Sequence, residues 1–176
     1  MNKKNMILIA ICIAFASTFT YAQSATVGVS ASVNAALSIT KNTDVSFGNV
    51  IQGTNGVIDP QGSANSGLGA AYTLGKLTVS GTGTAGVVLT FSESSINLGD
   101  GVSATMAFAP DVAGYGSDTP ASSTDINTGA NVNLVSGSYY LYVGGTLTVG
   151  ASQTTGSYSS SASNGGGDIS VSVAYQ

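Results

Sequence analysis

The sequence predicts an all-β fold, an antiparallel immunoglobulin-like β-sandwich, on three observations. Downstream of residue 22, β-branched and other apolar residues recur at every second position within short runs, the period of a strand with one buried face. Clusters of Gly, Asn, Asp and Ser separate the runs, as the turns between antiparallel strands require. No window in the same region sustains a 3.6-residue period, which limits helix to single turns. Many short, two-faced strands with glycine-rich turns bury their apolar faces by packing as two sheets.

The first 22 residues are of another kind. Lys3 and Lys4 precede an apolar run from Met6 to Phe19, and Thr20-Tyr21-Ala22 leads into Gln23. A positive start, a hydrophobic middle and small residues at −3 and −1 predict a secretory signal peptide. The run is shorter than the ~20 apolar residues of a membrane span. Cys12, the one cysteine, sits inside the run and would leave with it. The chain thus divides into a signal peptide (1–22), an N-terminal donor-type strand (23–36) and a β-sandwich domain (37–176). The mature product is expected to be secreted, at the cell surface or in an extracellular fibre, and not inserted in a membrane.

Strands follow in order. Over Ala25–Ala35, Val27, Val29, Ala31, Val33 and Ala35 share one face, and Thr26, Gly28, Ser30, Ser32 and Asn34 the other. Alternation or β-branched runs then predict strands over Leu37–Thr40, Val45–Phe47, Lys76–Ser80, Val87–Ser92, Thr105–Ala109, Asn131–Val135, Tyr139–Val143 and Thr146–Val149. Turns are expected at Asn55-Gly56, Gly81–Gly83, Gly99–Gly101, Gly144-Gly145 and Asn164–Gly167. Pro110 to Ala130 lacks alternation and reads as a long surface loop. In the closing run, Ile169, Val171, Val173 and Tyr175 face one way, and Ser170, Ser172 and Ala174 the other.

Composition excludes several functions. Beyond residue 22, Lys41 and Lys76 stand against eight acids, a net charge of −6, with no Arg or His. Binding nucleic acid takes a cationic face, which this chain lacks. Without His or a mature Cys, Ser-His-Asp and Cys-His arrangements are impossible, and zinc loses its favoured ligands. A pair of carboxylates for glycoside hydrolysis would rest on Glu93, the one Glu, and Asp100, with no Trp platform beside them. The expectation is a non-enzyme with no cofactor and no metal. Asp111, Asp118 and Asp125 are the set calcium could take, but a spacing of seven fits no compact calcium loop, and solvated loop acids are the plainer reading. Lys41 and Lys76 read as exposed lysines rather than partners in isopeptide bonds. In the tyrosine-rich run, Tyr140 and Tyr142 oppose Tyr139, Leu141 and Val143. They form either a ligand face for sugar stacking or a subunit contact, or a pair covered by a loop.

Four stretches carry a resemblance: Leu37–Gly53 with its Phe47-Gly48-Asn49-Val50, Lys76–Phe91, Gly144–Tyr158 with its Gly144-Gly-Thr-Leu-Thr-Val-Gly-Ala151, and Ile169–Gln176. They resemble the secreted bacterial domain-of-unknown-function family 4402. That family is similar in layout to chaperone–usher pilins and spore-coat-U-type fibre subunits, which combine an alternating N-terminal extension, an incomplete sandwich and a C-terminal strand with a penultimate aromatic, here Tyr175. The pilin disulfide is missing, and Ser163 stands where pilins often have Gly, so the resemblance is architectural. It implies a fold and a location rather than a reaction.

These readings together lead to the expectation of a structural subunit of an extracellular fibre, fimbria or surface coat. It would self-associate into a polymer by donating Val27, Val29, Ala31, Val33 and Ala35 to a neighbour. The resemblance implies a periplasmic chaperone and an outer-membrane assembly protein as partners. The alternative is a monomeric sandwich that binds a glycan or protein as an adhesin. A strand with one apolar face reads the same whether it pairs within its own chain or in a neighbour.

Overall fold

The computed structural model describes residues 23–176, and the signal peptide expected over residues 1–22 lies outside the described residues. The chain divides into two units, Met1–Val33 and Asn34–Gln176. In the first, residues 23–33 form no strand, and Val27, Val29 and Val33 are 87–94% exposed. The strand expected over Ala25–Ala35 is therefore not formed. Alternation makes a segment fit to be a strand, but a strand exists only where a neighbour supplies the hydrogen-bonded ladder.

The second unit is built around two long antiparallel strands, β6 (Thr105–Tyr115) and β9 (Ser138–Thr148). They pair from Ala107↔Thr148 to Tyr115↔Tyr140. On its other edge, β9 pairs with two short strands placed end to end. β3 (Gly75–Ser80) covers Ser138–Val143, and β2 (Gly56–Ile58) covers Gly145–Leu147. The outer edge of β6 is divided in the same way between β5 (Ile96–Gly99) and β7 (Thr124–Asp125). β1 (Ser38–Thr43) closes the sheet outside β3. The opposing sheet has three strands, with β4 (Gly86–Phe91) between β10 (Val171–Tyr175) and β8 (Ala130–Asn133). One 3-10 turn, Pro120–Ser122, is the helical element among the described residues. The fold class is the all-β antiparallel sandwich that the pattern predicts.

Further elements differ from expectation. Val45–Phe47 makes only the isolated bridge Ser46↔Thr73, because no strand runs beside it, and Gly56, expected in a turn, opens β2 on β9. Gly144-Gly145 is no turn, because β9 runs straight through it. A Cβ on Gly144 would lie 2.1 Å from the Ile58 carbonyl oxygen, and one on Gly145 (φ +139°) 2.2 Å from that of Ala109. The glycines are there because the flanking strands approach too closely for any side chain. Pro110 to Ala130 is not all loop either. Its first six residues complete β6, with Val112 and Ala113 buried. Pro110 lies in the gap between β5 and β7, where β6 has no strand on its outer edge and a missing N–H is best tolerated.

The core lies between the sheets. Val79, Val87, Leu89, Phe91, Leu134, Leu141 and Val143 form its main cluster, at 0–6% exposure. Phe47, Ile58, Met106, Phe108, Leu147 and Val149 form a second one. Phe47 and Phe108 meet edge to face at 5.6 Å between centroids.

Candidate functional site

The core is sealed in its middle and open along one side. On β1 and just before it, Leu37 and Ile39 turn inward but stay only half-buried, and so do Ile169, Val171, Val173 and Tyr175 along the last strand. One strand further in, Val79, Val87 and Leu89 are at 0%. β1 and β10 are each an edge of their sheet, so neither has a neighbour to cover its inward row. A groove of about 600 Å³ opens where the three-stranded sheet fails to cover the larger one. Leu77, Phe108, Val143 and Val171 are among its lining, and Lys41, Asp44 and Asp168 also line it. Lys41 Nζ pairs with Asp44 Oδ1 at 2.7 Å. That hydrogen bond and charge, with Asp168 behind them, raise the Lys41 pKa.

The expected site residues fall into three groups. Val27, Val29, Ala31 and Val33 are exposed. Ala35 differs: its carbonyl accepts a hydrogen bond from the Tyr175 hydroxyl at 2.7 Å, and its N–H donates to Thr82 Oγ1 at 2.5 Å. Its backbone therefore belongs to the chain's own sandwich. The C-terminal row alternates as expected, with Val171, Val173 and Tyr175 inward and Ser172 and Ala174 exposed.

The tyrosine face does not present two free rings. Tyr142 is 1% exposed, covered by the loop after β6, and its hydroxyl donates to Asp118 Oδ1 at 3.0 Å. Burial, reinforced by the Asp118 hydrogen bond and charge, raises its pKa far above the usual phenol range. Lys76 pairs with the other Asp118 oxygen and sits 5.4 Å from the centre of the Tyr140 ring, so one face of that ring is already occupied. Its hydrogen bonds to Lys76 and Tyr142 lower the Asp118 pKa. Tyr142 thus serves to hold a loop, and Tyr140 packs under a lysine. The loop was hidden in the sequence because Lys76 and Asp118 are 42 residues apart.

The three loop aspartates do not converge. Asp118 is engaged as above, while Asp111 and Asp125 line a smaller cavity of about 400 Å³ with Asp59. Burial, with the charges of Asp125 and Asp59, raises the Asp111 pKa. Among the described residues no group of three or more His, Cys, Asp or Glu is placed to hold a metal ion. Asp59 organises its own loop instead, accepting from the Ser63 hydroxyl at 2.6 Å and from the N–H groups of Gln61, Ser63 and Ala64. Asp100 Oδ1 likewise accepts from the N–H groups of Val102, Ser103 and Ala104 and from Asn164. Glu93 accepts from the Thr128 N–H.

An all-β sandwich with one open side is a fold, and a fold by itself assigns no function. The chain belongs to the family described as a domain of unknown function, DUF4402, whose model matches residues 37–175. That match begins one residue before β1 and ends on Tyr175. A search of the curated proteins gave no match.

Proposed function

We propose that the protein is a structural subunit of an extracellular fibre, fimbria or surface coat, exported by its signal peptide and assembled by lending residues 25–33 to a neighbour. One observation carries the reading: the inward rows of β1 and β10 are half-buried, while Val79, Val87 and Leu89 on the strands beside them are sealed and Leu77 opens onto the groove. A sandwich edge with unpaired backbone groups beside an open groove that exposes Leu77, Phe108, Val143 and Val171 invites an added strand. The segment that fits it has Val27, Val29 and Val33 almost wholly in water. Burying each contributes about 2 kcal/mol, and each main-chain bond to the open edge adds about 1 kcal/mol. Donor and acceptor surfaces differ, so the contact is heterologous and propagates as a filament.

The test is the exported full chain, run on unheated and heated gels and viewed by electron microscopy. The expected result is a ladder of multimers that collapses to one band on boiling, with matching fibres on the grid. A single sharp monomer at all concentrations, in the presence of the cell's own assembly machinery, would instead favour the monomeric binding module.

A further inference from the structure

At the end of the sandwich where β1 begins and β10 stops, three distant stretches of chain close a ring of hydrogen bonds. The Tyr175 hydroxyl donates to the Ala35 carbonyl at 2.7 Å and accepts from the Thr82 N–H at 2.9 Å, while the Ala35 N–H donates to Thr82 Oγ1. Each member is itself held. Tyr175 is in register with Val87, and Gln176 behind it donates from its N–H to the Gly86 carbonyl at 3.1 Å and from its side chain to Asn131 at 3.0 Å. The turn that presents Thr82 is pinned by Gly81 N–H to the Gly137 carbonyl at 2.9 Å and by Gly137 N–H to that of Gly83 at 2.6 Å. No side chain fits on Gly81: its Cβ would lie 2.7 Å from both Leu37 and the Tyr175 oxygen. Both backbone groups of Ala35 are therefore hydrogen-bonded into this corner.

The groove lies toward the other end of the same two strands. Its lining includes Lys41 and Thr43 of β1 and Ile169 and Val171 at the start of the C-terminal run, but neither Leu37 nor Tyr175. For residues 25–33 to fill the groove of their own chain, they would have to fold back along β1 through a hairpin turn at residues 34–37. Tight hairpins want Gly or Asn at positive φ in consecutive central positions. Here the sequence is Asn34-Ala35-Ala36-Leu37, and reversal would have to pull the Ala35 N–H and carbonyl out of the corner.

We propose that Tyr175 and Thr82 form a lock on Ala35 that denies the N-terminal segment its own groove and so reserves it for a second copy of the chain. The lock rests on the fibre reading above and supplies what alternation alone leaves open, the choice between insertion within the chain and insertion in a neighbour. Tyr175 acts as a positioning residue, through Ala35. Its hydroxyl is dispensable for packing of the ring but not for the corner.

The experiment uses the exported full chain as wild type, Tyr175→Phe and Thr82→Val, the second variant breaking the ring from the opposite side while leaving the C-terminal strand untouched. Two quantities are read: the assembled fraction on unheated gels, and the rate at which a nonspecific protease clips residues 23–33 in the monomer. Both variants are expected to lose assembled material at least tenfold, and to clip at least tenfold more slowly because the segment now lies in its own groove. Adding Val29→Asp to Tyr175→Phe should restore fast clipping, since a carboxylate is disfavoured against Leu77, Phe108 and Val143 and repelled by Asp44 and Asp168. If both variants assemble as wild type does and are clipped at the wild-type rate, the lock is refuted while the fibre reading stands. Lost assembly with clipping unchanged also refutes it, because the segment is then free but not captured. A wild type that never assembles overturns the fibre reading, and the lock with it.

Discussion

Asp118 holds two side chains with different needs, and the difference is measurable. Tyr142 is buried and its hydroxyl requires an acceptor, whereas Lys76 keeps part of its surface in water. Asp118→Ala should therefore cost about 1–3 kcal/mol, chiefly from the stranded phenol, and Tyr142→Phe about 1 kcal/mol. In the double variant the Asp118 loss should shrink, because no phenol remains to be stranded; urea unfolding of the three proteins decides it. The acids also differ in sign. The lowered Asp118 pKa means that folding favours its carboxylate. Its contribution is present above the ordinary Asp value of about 3.9 and is lost as pH falls through the lowered one. The raised Asp111 pKa, from burial and then from Asp125 and Asp59, means that folding favours its acid form. That contribution is present at low pH and lost as pH rises through the raised value. Asp111→Asn should thus melt higher than wild type at pH 7, and the gap should close below about pH 3. An unchanged or lower melting temperature at pH 7 would contradict the raised Asp111 pKa beside Asp125 and Asp59.

At the scale of elements, the glycines within β9 separate a strand from a turn. A turn at Gly144-Gly145 would tolerate alanine at one position or the other. A straight strand pressed between Ile58 and Ala109 would not, because both obstacles are backbone carbonyls. Gly145→Ala adds positive-φ strain to the clash, and it should cost about 3 kcal/mol or more in urea. Gly150→Ala meets nothing closer than 3.6 Å and should stay within about 0.5 kcal/mol. The same pair of residues shows where sequence pattern stops being informative. β3, β4 and β10 were legible because each has one buried and one wetter face, so alternation is written in their residues. β6 was read only through Ala109, because Pro110 and Asp111 interrupt its pattern at the gap between two short neighbours. β2, β5 and β7 have two to four residues each, too short to carry a period. The open groove was not legible at all, since it is a property of which strands are edges, and edge position is decided by long-range pairing. The Ala35 corner joins residues 47 and 140 apart, a spacing no local rule can see.

For the whole molecule, what matters is whether the exposed segment and the open groove belong to one contact repeated between copies. Val29 is 93% exposed, so Val29→Asp removes nothing from the sandwich of its own chain. Inserted against the apolar part of a neighbour's groove, the new carboxylate would lose water beside Leu77, Phe108 and Val143, with Asp44 and Asp168 adding repulsion along the same groove, a cost on the order of a few kcal/mol. Assembly should be lost while circular dichroism and the melting temperature of the monomer stay at wild type. Ser30→Asp, on the opposite face, adds the same charge and should assemble nearly as well as wild type. The heterologous geometry supplies a stricter test. Val171→Asp spoils the groove but leaves the segment, so each variant alone should be monomeric. Mixed, the intact segment of Val171→Asp can enter the intact groove of Val29→Asp once and no further. The expected product is a heterodimer and no filament, read by mass photometry after heating and slow cooling of the mixture. Filaments from the mixture, or from Val29→Asp alone, would mean that subunits meet through some other surface. Unfolding of the Val29→Asp monomer would mean that the segment already completes its own chain's core.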